Sequence, residues 1–187
     1  IAIERGGMKA EDVFVLRSGP KLERLKIQEP KSEIKRGKKF MVGYLGVIGQ
    51  QEGIEYLLKA AKYVKELPER NDVFWGIVGG GPDLERMKKL CHEMGLDDIV
   101  EFTGRVPDQK LLDYLNTADV CVNCDEYNAM NDKSTMNKVL EYMALGKPLV
   151  QFDLTEGRYS AQEASLYAKR NDAEDMAKKI LELLDNP

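Results

Sequence analysis

One histidine and three cysteines are all that 187 residues hold of those two types, and the shortage excludes several kinds of chemistry. A nucleophile relay through imidazole needs a histidine beside a serine or cysteine. His92 stands alone, next to a helical core position and at the surface, and offers no such relay. Three cysteines cannot all pair, so a disulfide scaffold is not read here and a reducing, cytoplasmic setting fits better. Cys121 and Cys124 make a C-x-x-C, but within a predicted strand, and only Cys91 and His92 remain as further zinc-type ligands. The paired spacing of a four-ligand site is missing, so these are core cysteines and no metal is expected. No apolar run approaches the ~18 residues of a membrane helix, and no signal-peptide pattern opens the chain. A surplus of positive charge is lacking too. The net charge is −4, which argues against a nucleic-acid partner held through its phosphates.

What is present describes a globular chain. Hydrophobic residues make up 43%, enough for one substantial domain with a core of its own. Residues 1–38 differ from the rest. DVFVLRSGP, 12–20, reads as a short strand ending in a turn. From Lys21 to Lys39 eight Lys or Arg face three Glu with no helical face, which reads as a solvated, basic interdomain linker. Such a run can also touch anionic lipid heads. Residues 39–187 alternate strand and helix. Apolar strands are expected at KFMVGYLG, at 73–79, 99–102 and 119–124, at PLVQF and at 165–168. Ile54/Leu57/Leu58/Ala61, Leu84/Met87/Cys91/Met94, Leu111/Leu112/Leu115 and Ala173/Met176/Ala177/Ile180/Leu184 mark the inward stripes of helices between and after them. That alternation predicts an α/β, Rossmann-like parallel sheet with helices on both faces. Ligands on such sheets bind outside the carboxyl ends of the strands.

The chain is organised around residues 131–151, NDKSTMNKVLEYMALGKPLVQ. They read as a loop, a helix and a strand. Met136, Val139, Leu140 and Met143 form one buried stripe, and Ser134, Asn137, Lys138 and Glu141 repeat the spacing as a polar one. Ser134 or Thr135 can cap the helix, Gly146 suits its exit, and Pro148 stops it. A helix N-terminus attracts phosphate, and a carboxylate two turns in can accept from a pair of sugar hydroxyls. The pattern therefore fits either a nucleotide site or a plain surface helix with a weak Lys138–Glu141 pair. Two glycine segments are less specific. Gly46-Val47-Ile48-Gly49 is either a phosphate- or sugar-approaching loop or a tight strand-to-helix turn. In GIVGGGPDL, 76–84, Gly79 and Gly81 fit two places of a dinucleotide fingerprint, but Leu84 stands in the third and no acid follows at the expected strand end. Arg105, after the third strand, is either a stacking or phosphate-binding residue or a solvated one.

LEYMALGKPLV resembles the donor-sugar domain of retaining glycosyltransferases of the GT-B fold, family four, and NDKSTMNK resembles a surface-polysaccharide subgroup of that family. The resemblance covers roughly residues 40–187, and SGPKLERLK is similar to the segment that enters the donor domain. It implies the C-terminal half of a GT-B enzyme that moves a hexosyl group from a UDP-sugar or GDP-sugar to a hydroxyl with retention. It implies no metal or other cofactor, since the nucleotide sugar is a substrate. A separate N-terminal acceptor domain is implied as partner, with a lipid-linked acceptor at the inner face of the membrane as one setting. Matched residue by residue, Glu141 takes the ribose hydroxyls, and Gly46, Val47 and Gly49 approach the diphosphate. Gly81 lines the cleft, and Arg105 and Val106 flank the base. Lys133, Ser134, Thr135, Met136, Asn137 and Lys138 surround the phosphates. The chain departs from the pattern at three places: Lys133 replaces the family's first glutamate, and Val47 and Glu52 replace an arginine and a lysine. Lys133 is therefore the expected catalytic cation, with Lys138 and Arg105 as further candidates. A non-catalytic nucleotide or sugar module, or an NAD-dependent oxidoreductase domain, is the alternative.

Overall fold

A computed structural model describes residues 1–186. The described residues form six strands: β1 (Phe40–Leu45), β2 (Val73–Val78), β3 (Val100–Gly104), β4 (Val120–Asn123), β5 (Leu149–Phe152) and β6 (Leu166–Ala168). Six α-helices accompany them: α1 (Ile54–Glu66), α2 (Leu84–Glu93), α3 (Asp108–Thr117), α4 (Asn137–Ala144), α5 (Thr155–Ala161) and α6 (Ala173–Asp185). The sheet order is β3-β2-β1-β4-β5-β6 with every ladder parallel. This is the Rossmann-like architecture that the alternating pattern predicts. The chain leaves β1 in one direction across the sheet and resumes at β4 in the other. The loops after these two strands must diverge, and a crevice opens between them.

Parallel strands covered on both faces read as continuous apolar runs, and all six residues of β2 are buried. On one face α1, α2 and α6 pack Leu57, Leu58, Met87, Ile180 and their neighbours against Val42, Trp75 and Val122. On the other, α3, α4 and α5 bring Leu112, Leu115, Val139, Tyr142 and Ala161 against Cys121 and Leu149. Each fully buried leucine or isoleucine contributes roughly 1.5–3 kcal/mol.

Three expectations need correcting, and a fourth point is a helix that the pattern leaves out. First, residues 12–20 form no strand. A 3-10 turn at Ala10–Asp12 leads into extended chain that pairs with no sheet edge, and Phe14, Val15 and Leu16 are exposed. The segment runs past the start of α4 and the first turn of α5 instead. Second, the basic run is not solvated along its length. Arg24, Lys31, Lys35 and Arg36 pair with Asp108, Asp113, Asp119 and Glu101, and the Gln28 and Lys31 amides donate to Asn116 and Thr117. Surface pairs are worth ~0–1 kcal/mol each, so the strap is held as much by Leu25 and Ile34, which tuck against the core. Its charges show no face of their own because α3, Asp119 and Glu101 of β3 supply the partners.

Third, α4 is rotated from the stripe read in sequence. Val139, Tyr142 and Lys138 are buried and Met143 is exposed. Tyr142 turns inward because its hydroxyl finds the Leu45 amide at 2.8 Å. Neither Ser134 nor Thr135 caps the helix: the cap position is Met136, Ser134 donates to the Met130 carbonyl, and Thr135 donates to Glu156. Fourth, the sequence pattern does not predict α5. It carries no apolar stripe, and its first amide, on Thr155, is satisfied by Asp132 from the loop before α4.

Candidate functional site

The crevice between β1 and β4 is built from two loops with different fastenings. After β1, residues 46–53 return to α1. After β4, residues 124–136 wander to α4. Asn131, buried in the second loop, donates one amide hydrogen to the Gln51 carbonyl and the other to the Glu126 carbonyl, at 3.0 and 2.9 Å. This side chain ties the two loops together. A cavity of about 650 Å³ opens beside them, lined by Val47, Gly49, Glu52, Glu126 and Asn128 among others.

Beneath that cavity lies a buried ionic cluster. The Lys138 ammonium is 2.9 Å from Glu52 Oε2 and 2.9 Å from both carboxylate oxygens of Asp125. Its stem passes Gly46 and the Tyr44 ring, with Nζ 5.2 Å from the ring centroid. Lys138 therefore does not belong to the outer polar stripe, and no Lys138–Glu141 pair forms; its three donors are spent on Glu52 and Asp125. One ammonium faces two carboxylates, so the charges do not balance. Burial pushes the Asp125 carboxyl up to about 7; Lys138 opposes this and Glu52 adds to it. Burial also raises Glu52, but Lys138 and the hydrogen bonds from Asp125 and Tyr44 together outweigh it and hold that carboxyl below its ordinary value. For Lys138 itself, burial is outweighed by the two acids, and the ammonium stays above its usual range. Asp125 is thus the member that takes up a proton.

Stability should therefore depend on pH. Asp125 in the folded chain holds its proton more tightly than the ~3.9 of an unfolded aspartate. Its contribution is complete below that value and is lost as pH rises through about 7. Glu52 runs the other way, but its contribution fades only as pH falls through the acid range. Melting temperature should fall between pH 5 and 8, and Asp125→Asn should flatten the fall. An unchanged slope in the variant would place the titrating group elsewhere.

One strand over, the start of α4 forms a second cavity, of about 400 Å³. Lys133, Ser134, Thr135 and Asn137 line one side, segment 15–18 the other, and Glu156 the base. Lys133 is exposed and has no ion-pair partner among the described residues. Met136 packs inward with Leu112 and Leu115 instead. Glu141, half-buried on the next turn, lines a small neighbouring pocket with Lys21, Arg24, Leu25 and Asp108. Burial raises its carboxyl, and Arg24 and Lys138 oppose the rise.

The remaining sequence candidates fall around these cavities rather than in them. Gly46 donates its amide to the Val78 carbonyl, and Ile48 donates to Gly80, so the loop after β1 lies back to back with the loop after β2. A Cβ on Gly79 would overlap the Gly46 carbonyl oxygen, and one on Gly81 would overlap that of Ile48. These glycines serve loop packing, which explains why GGGP follows β2 when a dinucleotide fingerprint belongs to the first βα turn. Arg105 is exposed, its stem over Gly80, and Val106 packs beside Met41 and Phe74. Cys91, Cys121 and Cys124 are buried free thiols, and Cys124 donates to the Glu52 carbonyl. His92 lies exposed beside Asp97.

By sequence, Asp125 and Glu156 are only two acids near the ends of predicted strands, and Arg17 carries no signal. No local spacing could have joined them, because their partners lie far along the chain.

Known proteins share both the sequence pattern and the fold. An uncharacterized glycosyltransferase of Methanocaldococcus jannaschii is 24% identical over 183 residues, 94% of this chain and 44% of the relative. A GDP-mannose-dependent alpha-(1-6)-phosphatidylinositol monomannoside mannosyltransferase of Mycobacterium tuberculosis is 41% identical over 76 residues, 40% of this chain and 20% of its own. Anabaena HepE, solved in complex with UDP and glucose, superimposes with a TM-score of 0.77 at 17% identity over 97% of this chain and 50% of that one. The chain thus spans less than half the length of these curated relatives. The model of the family described as glycosyl transferases group 1 matches residues 39–186, and on that match the chain belongs to the group 1 glycosyltransferases.

Proposed function

We propose that this chain is the donor-binding half of a retaining glycosyltransferase that moves a hexosyl group from a UDP-sugar or GDP-sugar to a hydroxyl acceptor in polysaccharide or glycolipid synthesis. The observation that carries the reading is the 400 Å³ cavity at the start of α4. There Lys133, Ser134, Thr135 and Asn137 share one wall, and Glu141 follows one turn along the helix. A diphosphate at the helix start meets unpaired amides and the positive end of the helix. Lys133 supplies a mobile ammonium that answers the charge developing on the leaving diphosphate. The ribose lies along the helix toward Glu141, and the base toward Arg105 and Val106. An acceptor domain beyond this chain brings the hydroxyl, and with a lipid-linked acceptor the whole protein works in the cytoplasm at the inner membrane face. Among the described residues, no helix is long and apolar enough to cross a membrane.

A panel of UDP, GDP, their sugars and NAD in a thermal-shift assay tests the reading, because a ligand of the folded state raises its stability by mass action. Lys133→Ala should weaken UDP or GDP much more than the matching nucleoside, and added salt should narrow the gap. Equal losses for nucleotide and nucleoside would remove Lys133 from the phosphate site. Glu141→Ala should weaken nucleotide and nucleoside alike, by ~1.5–3 kcal/mol, the range for hydrogen bonds to a charged group. Unchanged affinity in a folded variant refutes the ribose role.

One observation favours a non-catalytic nucleotide or sugar module instead. Glu52 and Glu126 put carboxylates on the wall of the 650 Å³ crevice, and no lysine or arginine lines it. Sugar-nucleotide turnover by the full-length protein separates the two readings.

A further inference from the structure

Residues 13–20 have no backbone pairing to the α/β body, and among the described residues Arg17 alone sends side-chain hydrogen bonds from them to it. Arg17 donates from Nε to Glu156 Oε1 at 2.6 Å and from Nη2 to Oε2 at 3.4 Å. Its guanidinium carbon lies 4.0 Å above the Tyr159 ring centroid, so α5 grips the group from two sides. The neighbours of Arg17 give no other reason to stay: Phe14, Val15 and Leu16 are 81%, 75% and 93% exposed.

Glu156 is an awkward residue for this cavity. Its side chain is only 13% exposed, and its Oε1 accepts the Thr135 hydroxyl at 2.8 Å. It therefore presents a carboxylate directly behind the start of α4, where an anionic ligand would find it repulsive. The cavity wall carries two cations, Lys133 and Arg17, and this one acid. Without Arg17 the balance falls from +1 to zero, and the remaining acid, bonded to Thr135, faces the helix start unscreened.

We propose that Arg17 is a positioning residue for a phosphate-bearing ligand: it pins segment 15–18 as the outer wall of the cavity and screens Glu156, so that the start of α4 accepts an anion. This deepens the donor reading above and rests on it. Arg17 acts through Glu156 and the segment it holds, so its effect should depend on the acid being present. A direct phosphate ligand would show no such dependence.

The test uses this chain with UDP and uridine as probes, at low and moderate salt. Arg17→Ala should weaken UDP about tenfold and uridine little, as expected when a like charge is exposed beside an anion. Glu156→Gln alone removes the anchor together with the repulsive acid and should cost UDP well under the loss in Arg17→Ala, and the double variant should recover most of that loss. Arg17→Lys should fall between, since it keeps the charge but not the two-point, stacked hold. A second readout needs no nucleotide: chymotrypsin should cut after Phe14 or Leu16 several-fold faster in Arg17→Ala than in the unaltered chain. Unchanged UDP affinity in Arg17→Ala overturns the inference while leaving the donor reading intact. So does a loss that Glu156→Gln fails to rescue, and so does an unchanged cleavage rate. Absence of UDP and GDP binding by the unaltered chain overturns the donor reading and this inference with it.

Discussion

Lys138→Ala is expected to destabilise the chain by ~3–5 kcal/mol, the range for removing one partner of a buried ionic cluster. Its ammonium is the only cation on Asp125 and Glu52 among the described residues, and Asp125 is 1% exposed. Without it two carboxylates face each other, Asp125 where water barely reaches and Glu52 at the edge of the crevice. One must take up a proton, and the other loses its hydrogen-bond donors. The vacated stem also leaves a gap beside Gly46 and the Tyr44 ring. Denaturant unfolding at pH 7 and pH 5 reads both parts. The loss should shrink at pH 5, where Asp125 is protonated and the repulsion is gone, leaving the gap and the Glu52 carboxylate without its cation. A triple replacement, Lys138→Met with Asp125→Asn and Glu52→Gln, should recover much of the stability, because neutral groups of similar volume often replace a buried ion cluster at little cost. A loss below ~1 kcal/mol at pH 7 would show that the three side chains are not joined as the distances imply. The consequence reaches the crevice, since Lys138 fastens the loop after β1 to the loop after β4.

How much of this was legible beforehand follows from the range of each interaction. The six strands were readable because parallel strands buried on both faces leave unbroken apolar runs, as in VFWGIV. The helices α1, α2, α3 and α6 were readable because one solvated face leaves a stripe. The orientation of α4 was misread because lysine counts as polar in any periodic pattern. Lys138 is buried only because Glu52 lies 86 positions and Asp125 13 positions away. The Arg17–Glu156 pair spans 139 positions. The strap of residues 21–39 reads as solvated because its acidic partners lie on α3, in β3 and at Asp119, far along the chain. At the start of α4 the type of residue was legible and the geometry was not: Lys133 and Asn137 do line the cavity, while Ser134 and Thr135 hold neighbouring groups rather than capping the helix.

Gly79→Ala should cost at least ~3 kcal/mol and should loosen the crevice as well. Gly79 has φ +138°, a region that side chains with a Cβ rarely adopt. Strain alone accounts for ~1–3 kcal/mol. The added methyl would also overlap the Gly46 carbonyl oxygen, which belongs to backbone and cannot swing aside. Gly46 is fixed in turn by its amide bond to Val78 at 3.0 Å, and Gly79 by its own bond to Gly104 at 3.1 Å. Relief requires the loop of residues 46–49 to move away from the loop after β2. That loop carries Val47 and Gly49 into the 650 Å³ crevice. Gly95→Ala supplies the control. Gly95 also has positive φ, +68°, but nothing lies within 4 Å of its would-be Cβ. It should show a modest backbone penalty of roughly 1 kcal/mol and no change at the crevice. Unfolding midpoints for both variants, with UDP and NAD titrations on each, separate strain from displacement. Equal midpoints for the two variants would mean that the loop after β1 yields easily, and the crevice would then be soft where the packing says it is held.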